Sequence, residues 1–335
     1  MYLGRFMKLS RVSKILFITL SNIGDVILTL PVLSALKDNF PDAKIDILVG
    51  PRPEQVFRKD PRVNKIFIYD KHASLRGKAG FIKRLRNERY DLAVDMRSSL
   101  FPFFIGARYR TPIIICRAQA CLSPTKLKHR RLAHLEKIRP LGIEYRKQKN
   151  IYIDEKDREK IKALLNDKGA GRNDIIIGIG HGAKSPLKQW KKQGFIEVIN
   201  SILKQPGYKV VLIGDVNEMA SSEGISHAVN NPGLIDLTGK TSLNELFAVI
   251  ERFDLLLTCD SAGMHIASDL GVRVVAVFGP TDPEEYGPMG DKDIVIRKSL
   301  KCSPCKKAQC EFGTHECMET ISAEEILSTI KEVLE

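Results

Sequence analysis

Short apolar runs alternate with longer amphipathic segments through the first half of the chain. Runs rich in β-branched residues predict five buried strands. They cover residues 14–20, 44–49, 63–69, 91–96 and 113–116. Apolar residues at helical spacing lie at 24–36 and 75–87, and Pro31 is expected to kink the first of these helices or to delay its start. The alternation predicts a parallel sheet with helices packed on it.

The second half repeats this pattern after a polar and basic stretch. The predicted strands cover residues 174–179, 209–213, 255–258 and 272–278. The predicted helices cover residues 155–167, 189–204, 243–253, 262–270 and 323–334, with one more after Asn217. Thr241 or Ser242 would cap the helix at 243, because Glu245 follows at the spacing of a capping box. We therefore expect two doubly wound α/β domains joined near residues 150–170.

Composition narrows the class of protein. The chain has 335 residues, of which 43% are hydrophobic and 28% charged, as in soluble globular proteins. This excludes a mostly disordered chain, a collagen-like fibre and a disulfide-stapled mini-protein. The apolar run at 15–20 is too short to span a bilayer or to act as a secretory signal, so a cytoplasmic protein is expected.

Charge is distributed unevenly between the two halves. Residues 1–150 hold 31 Lys and Arg against 12 Asp and Glu, whereas residues 151–335 hold 22 against 28. The first half should therefore meet an anionic partner, such as an acidic substrate or a membrane surface, although a solvated basic face is the simpler alternative. No zinc-finger or RNP-like pattern supports a nucleic-acid partner.

The loop after the first strand contains the first candidate site, because ligands of such sheets bind beyond the carboxyl ends of the strands. It comprises Ser21, Asn22, Gly24 and Asp25. Asp25 could act as a general base or bind a ligand hydroxyl. The alternative is a helix N-cap or first-turn carboxylate that satisfies unpaired N–H groups of the following helix.

A glycine-rich loop contains the second candidate site. Residues 178–183 match the spacing G-x-G-x-x-A after a strand, and Asp215 ends the next strand as a ribose-binding acid would. However, Pro186 delays the helix, and the loop suits phosphate better than a dinucleotide. Lys188 could offer its charge to a pyrophosphate, or the loop could be a turn with solvated lysines.

Two later loops complete the candidate ligand edge of the second domain. Small residues open a helix after the strand at 255–258, and free N–H groups at a helix N-terminus bind phosphate. These residues are Asp260, Ser261, Ala262 and Gly263. His265, one turn later, could touch a ligand or belong to the core, and Thr281 after the last strand could bind a phosphate.

The cysteines fall into two groups. Cys116, Cys121 and Cys259 lie in or beside apolar runs and are expected in the core. Four others are clustered, with two, four and six residues between successive members: Cys302, Cys305, Cys310 and Cys317. Their spacing matches neither a zinc finger nor a ferredoxin, so structural zinc, free thiols and disulfides formed on oxidation all stay open, with His315 as an alternative ligand.

Two further segments favour structural interpretations. Asp291 and Asp293 have the D-x-D spacing of some metal-dependent transferases, but their polar setting favours a turn. Residues 101–105, with sequence FPFFI, could enter a membrane, but a core segment is favoured.

Together these loops resemble glycosyltransferase family 9, the ADP-heptose:lipopolysaccharide heptosyltransferases. The resemblance rests on residues 15–31, 188–190, 260–265 and 278–281 and extends over nearly the whole chain. It implies a GT-B fold with two Rossmann-like domains facing across a cleft. The domains would be an acceptor-binding domain at 1–155, a nucleotide-sugar-binding domain at 156–321 and a C-terminal helix at 322–335 that packs back toward the first.

The resemblance also implies a mechanism and partners. Asp25 matches the general base of an inverting, metal-independent transferase, and Lys188 matches a phosphate-contacting lysine. Asp260, Gly263 and His265 match the donor-binding loop, and Glu218 is a looser match to a ribose-binding glutamate. The donor would be ADP-heptose, and the acceptor an anionic lipopolysaccharide core at the cytoplasmic face of the inner membrane. No cofactor is required, and a structural zinc ion at the four clustered cysteines stays one of the open alternatives.

Two other functions remain in competition at this point. An NAD(P)-linked enzyme would use the loop at 178–183, and a non-catalytic module would bind an anionic surface through the basic half. Neither explains the Asp25 loop and the Asp260 loop together.

Overall fold

The structure is a computed structural model that describes residues 9–112 and 129–335. It divides into two compact units, Met1–Tyr152 and Ile153–Glu335, each with its own sheet. The strand predicted at 113–116 lies outside the described residues, as do Cys116 and Cys121.

The first unit contains a five-stranded parallel sheet. Its strands are β1 (Lys14–Ile18), β2 (Lys44–Val49), β3 (Val63–Ile68), β4 (Leu92–Asp95) and β5 (Tyr109–Arg110). Their order is β3-β2-β1-β4-β5, and every neighbouring pair is parallel. Phe17 of β1 lies in register between Ile47 and Val94. The parallel sheet predicted from the apolar runs is therefore confirmed.

Five α-helices accompany this sheet in the described part of the first unit. They are α1 (Ile23–Ile27), α2 (Leu30–Asn39), α3 (Leu75–Asn87), α4 (Phe101–Phe104) and α5 (Arg130–Ile138), with 3₁₀ turns at Arg52–Val56 and Arg139–Leu141. Pro31 lies in the first turn of α2, where its missing N–H has no helical partner to lose. The interrupted helix expected around Pro31 is thus observed.

The second unit contains a six-stranded parallel sheet. Its strands are β6 (Ile175–Gly180), β7 (Tyr208–Ile213), β8 (Leu234–Asp236), β9 (Leu255–Cys259), β10 (Arg273–Phe278) and β11 (Ile294–Arg297). The order is β11-β10-β9-β6-β7-β8. The sequence analysis missed β8 and β11, which have only three and four residues and are too short to produce a clear apolar pattern.

Eight α-helices cover this second sheet. They are α6 (Glu155–Asp167), α7 (Lys192–Ile202), α8 (Met219–Val229), α9 (Leu243–Glu251), α10 (Ala262–Leu270), α11 (Pro283–Tyr286), α12 (Glu316–Glu319) and α13 (Ala323–Leu334), with 3₁₀ turns at Pro186–Lys188 and Val216–Glu218. Ser242 and Glu245 form the capping box expected at the start of α9. Helices α10 and α13 begin and end where the sequence predicts.

The C-terminal helix belongs to the core of the second unit. Ile326 and Ile330 of α13 are buried with Val198 and Ile202 of α7, and α13 also contacts β10. Helix α13 thus lies within the compact unit Ile153–Glu335. The apolar stripe of α13 requires a partner, and the adjacent face of α7 supplies it.

The D-x-D segment at Asp291 and Asp293 was expected to form a turn, and this is confirmed. Asp293 accepts hydrogen bonds from Ser268 Oγ at 2.7 Å and Val274 N at 3.0 Å, so the D-x-D segment forms a structural turn. Within the described residues, none of the helices combines the length and apolar character needed to cross a bilayer.

Candidate active site

The strand order of the first unit places one ligand edge at β1 and β4. The chain runs outward from β1 to β3 on one side and continues through β4 and β5 on the other. A crevice forms at the carboxyl ends of strands where the order reverses. Asp25 lies just beyond β1, in the first turn of α1, and Asp95 is the last residue of β4. The first predicted loop therefore lies where a ligand of this sheet would bind.

Asp25 occupies the first turn of α1 and is half-buried. Its Oδ2 accepts a hydrogen bond from Asn22 Nδ2 at 2.8 Å. Asn22 is the N-cap residue by backbone conformation, but its side chain makes no cap hydrogen bond. Asp25 is thus a first-turn carboxylate rather than the N-cap, and the asparagine orients it. Ser21 and Gly24 flank these two residues, so the structure keeps this predicted group together.

Helix α5 brings further charged groups to this edge, which the sequence analysis did not anticipate. Burial, together with the nearby cations Lys137 and Arg130, lowers the pKa of His134 to about 4, whereas the Asp25 carboxylate acts in the opposite direction. Lys137 Nζ donates to Met96 O at 2.6 Å in the loop after β4. In the sequence, Arg130 and Lys137 contribute only to the overall basic charge of the first half.

The second unit has its corresponding edge at β6 and β9. The loops after these strands contain Lys188 and Asp260, which are 72 positions apart in sequence. Lys188 Nζ lies 2.6 Å from Asp260 Oδ2, and the Asp260 side chain is 8% exposed. The structure therefore brings together two residues that were assigned separately to a phosphate site.

The N-terminus of α10 adjoins this ion pair. Ser261 is its N-cap residue, but the Ser261 side chain makes no cap hydrogen bond and instead lies 3.0 Å from Thr258 Oγ1. The first-turn N–H groups of a nine-residue helix thus lack a side-chain cap, and Ala262 and Gly263 leave them open. A positive helix end beside a lysine is suited to a diphosphate. His265 is buried one turn further along.

Glu218 closes the side of this edge next to β7. Its Oε2 accepts from Asp215 N at 2.9 Å in a capping box, while Oε1 accepts no hydrogen bond from the described parts of the chain. Burial raises the pKa of Glu218. The carboxylate lies directly over Gly182 and Gly214, where a Cβ atom would come within 1.7 Å and 2.4 Å of its oxygens. The two glycines thus leave room for the Glu218 carboxylate, whose oxygens are suited to accept hydrogen bonds from ribose hydroxyls.

The glycines at 178 and 180 have packing roles that disfavour the dinucleotide alternative. A Cβ atom on Gly178 would lie 2.2 Å from the ring of Phe253, and one on Gly180 would lie 2.7 Å from Thr258 Oγ1. A dinucleotide fingerprint opens a helix directly. Here only a 3₁₀ turn follows, and α7 begins at Lys192.

The loop after β10 is fixed by the cysteine-rich segment. Ser303 Oγ donates to Gly279 O at 2.6 Å, and Lys306 N donates to Pro280 O at 2.8 Å. Thr281, which follows, is 9% exposed. The structure therefore places Thr281 on a braced turn at the same sheet edge as Asp260.

The same segment reaches the lysine loop through a contact that sequence reasoning missed. His315 Nε2 and Leu187 O lie 2.6 Å apart, which fits a hydrogen bond donated by the imidazole. Leu187 precedes Lys188 in the 3₁₀ turn. The sequence analysis considered His315 only as a metal ligand, since nothing in the local pattern points to a contact so distant along the chain.

The four clustered cysteines line one cavity of about 440 Å³. Backbone N–H groups of His315 and Phe312 lower the pKa of the Cys310 thiol, whereas burial and the other three thiols raise that of Cys317. As placed, no three His, Cys, Asp or Glu side chains among the described residues could share a metal ion. All four cysteines are free, and Cys259 is buried as expected.

Comparison with known proteins decides the family. The model of glycosyltransferase family 9 (heptosyltransferase) matches residues 79–315. The chain belongs to glycosyltransferase family 9. A lipopolysaccharide heptosyltransferase 3 of Escherichia coli is 30% identical over 291 residues, which cover 81% of this chain and 85% of that protein.

Solved structures show the same fold as this family 9 chain. A glycosyl transferase family 9 protein from Veillonella parvula DSM 2008 has a TM-score of 0.81 and 24% identity, with 98% of each chain covered. The E. coli ADP-heptose LPS heptosyltransferase II has a TM-score of 0.71 and 22% identity, with 96% of this chain and 98% of that one covered. The chain therefore has a GT-B fold with two Rossmann-like α/β units, and it is a glycosyltransferase.

Proposed function

We propose that this family 9 glycosyltransferase transfers a heptose from ADP-heptose to an anionic lipopolysaccharide inner-core acceptor. One observation carries the proposal: a carboxylate lies at the crossover edge of one sheet, and a lysine with an open helix N-terminus lies at that of the other. The donor class comes from heptosyltransferase II, whose name specifies ADP-heptose, and the acceptor class from the names of both E. coli relatives.

The proposed reaction is a single displacement. The acceptor oxygen attacks the anomeric carbon as Asp25 removes its proton. The bond from that carbon to the phosphate oxygen breaks, and ADP leaves with the electron pair. Attack from the face opposite the leaving group inverts the anomeric centre. Asp25 takes up the single proton released, so the step is balanced without a metal ion.

The leaving diphosphate gains charge that the second unit can stabilise. Lys188 supplies a cation, and the first turn of α10 supplies N–H groups and the positive helix end. Ser261, Thr281 and Glu218 would complete the donor site, with Glu218 Oε1 toward the ribose. The basic first unit favours an acceptor that carries phosphates and acidic sugars, at the cytoplasmic face of the inner membrane. Nucleic acid is not a proposed partner.

The experiment is sugar transfer by wild type and Asp25→Asn with ADP-heptose and a truncated core acceptor. Asp25→Asn should lower turnover by about 10²–10⁴-fold while donor affinity changes little. Asp42→Asn, an exposed change in the same unit, is the matched control. Near-wild-type turnover in Asp25→Asn would remove the base assignment. Transfer from other nucleotide sugars, but not from ADP-heptose, would refute the donor.

Structural zinc at Cys302, Cys305, Cys310 and Cys317 is a separate proposal. The four thiols share one cavity, but a bound ion would require them to move closer than the structure places them. Protein purified without chelator should hold about one zinc per chain by elemental analysis. Cys305→Ser/Cys310→Ser should lose it, and Cys259→Ser should keep it. Metal-free wild type would leave four thiols or disulfides.

A further inference from the structure

The first unit exposes an unusual group of large apolar side chains. Leu75 is 85% exposed, Leu100 58%, Phe104 55% and Phe103 48%. The expectation that residues 101–105 belong to the core is met only by Pro102 and Ile105, which are buried. The buried side chains of Pro102 and Ile105 thus anchor α4 on the first unit, while Phe103 and Phe104 of this helix are exposed to solvent. Exposed apolar clusters of this kind mark sites of interaction.

Aromatic contacts join α3 and α4 into one surface. The ring of Tyr69 lies 5.9 Å from that of Phe81 on α3 and 5.0 Å from that of Phe101 on α4. The two helices also contact each other directly. Of the thirteen residues of α3, only Leu85 is buried. The surface formed by Leu75–Asn87 and Leu100–Phe104 is called the α3–α4 surface below.

This surface is strongly cationic. Helix α3 has no acidic residue and carries five cations: Arg76, Lys78, Lys83, Arg84 and Arg86. The guanidinium of Arg110 lies 3.8 Å from the centre of the Phe103 ring, and that of Arg97 lies 5.9 Å from the Tyr69 ring. One cation thus lies directly against an exposed phenylalanine, and others lie on the adjoining helix α3. The long basic side chains can keep their charges at a polar boundary while the rings enter an apolar phase.

We propose that the α3–α4 surface docks this protein on an anionic lipid bilayer. Charge complementarity selects the bilayer: basic residues meet lipid phosphates, and Leu75, Leu100, Phe103 and Phe104 enter the interface. A second copy of the same surface would be repelled by the cations of α3, and a free saccharide offers no apolar phase for the phenylalanines. The inference goes beyond sugar transfer and holds whichever sugar the enzyme moves.

The experiment is co-sedimentation of the full chain with vesicles, without donor or acceptor. Vesicles of phosphatidylcholine alone are compared with vesicles that contain about one third phosphatidylglycerol. Wild type should bind the anionic vesicles, and raising the salt to about 0.5 M should weaken binding. Phe103→Ser/Phe104→Ser and Arg76→Gln/Lys78→Gln should each lower the vesicle partition coefficient by about tenfold.

Matched controls test the location of the surface. Phe312→Ser removes an exposed phenylalanine from the second unit, and Lys162→Gln/Lys168→Gln removes two exposed cations from it. Both should bind vesicles like wild type. Thermal unfolding of all variants checks that the exposed changes leave the fold intact.

Three outcomes would overturn the proposal. Absence of wild-type binding to anionic vesicles refutes docking. Loss of binding in the charge variant but not in the phenylalanine variant shows adhesion without insertion. If the phenylalanine and charge variants bind vesicles like wild type but have a raised KM for a soluble core oligosaccharide, the surface binds the acceptor instead. Vesicle binding and sugar transfer are separate measurements, so either proposal can fail alone.

Discussion

Lys188 Nζ and Asp260 Oδ2 form an ion pair of 2.6 Å beside the N-terminus of α10. Asp260 is almost fully buried, whereas a third of the Lys188 side chain is exposed. The aspartate thereby holds the Lys188 ammonium group in place, while the exposed part of the side chain leaves that group accessible to an anionic ligand. A diphosphate that bound here would add anionic partners to the lysine without moving its charge. In the proposed donor site, this pair would therefore be organised before the donor arrives.

Removal of the lysine should weaken donor binding. Lys188→Ala loses a charge-assisted contact worth about 1.5–3 kcal/mol, which corresponds to a rise in the Kd for ADP of about 10–150-fold. Calorimetric titration with ADP measures it. Lys188→Arg should retain more affinity than alanine, and Lys204→Ala, an exposed change after α7, should bind ADP normally. An unchanged Kd in Lys188→Ala would show that the pair is only structural.

The His315 contact should affect the donor site through the backbone. His315→Ala deletes the hydrogen bond to Leu187 O and loosens the turn that carries Lys188. One such bond contributes about 0.5–1.5 kcal/mol, so the donor KM should rise roughly 2–12-fold. Turnover at saturating donor should change less than KM, because His315 does not contact the reacting atoms. His315→Gln can donate a hydrogen bond from a similar position and should restore part of the affinity for the donor. A fall in kcat as large as the rise in KM, in both variants, would contradict a positioning role.

Gly178 in β6 and Gly263 in α10 should respond oppositely to an added methyl group. Gly178→Ala places a Cβ atom 2.2 Å from the buried Phe253 ring and should cost about 1–3 kcal/mol in the free energy of unfolding. Gly263→Ala meets its nearest atom at 3.5 Å and should be neutral or stabilise α10 by about 0.5–1 kcal/mol. Urea denaturation of both variants measures the difference. Equal stabilities would contradict the packing role assigned to Gly178.

The sequence was sufficient to predict most of the helices and strands, but it did not predict the contacts between distant loops. β-branched runs predict β2, and helical spacing predicts α3, because each pattern is local and continuous. The sheet rule also located Asp25, Lys188 and Asp260 at loop positions that the structure places at sheet edges. By contrast, the contact between His315 and Leu187 joins residues 128 positions apart, and no local propensity encodes it. The exposure of Phe103 and Phe104 was missed for the same reason, since an apolar run does not reveal whether a partner surface exists.

His134 provides a test of the acceptor edge by pH. Burial, Lys137 and Arg130 lower its pKa to about 4, against the opposing pull of Asp25, and His129 nearby adds to the lowering. The folded state thus favours neutral imidazole, while the unfolded chain takes up a proton near pH 6.5. Stability linked to His134 is therefore fully present above pH 6.5 and is lost as the pH falls toward 4.

The expected size of this pH effect follows from the pKa difference. A shift of about 2.5 units corresponds to roughly 3 kcal/mol of unfolding free energy, lost between about pH 6.5 and pH 4. His134→Asn cannot titrate, so its unfolding free energy should fall less steeply across that window. His227→Asn, a change near the end of α8 in the other unit, should keep the wild-type slope. Parallel slopes for wild type and His134→Asn would show that the imidazole is hydrated and that Asp25 faces a more open edge than the burial of His134 implies.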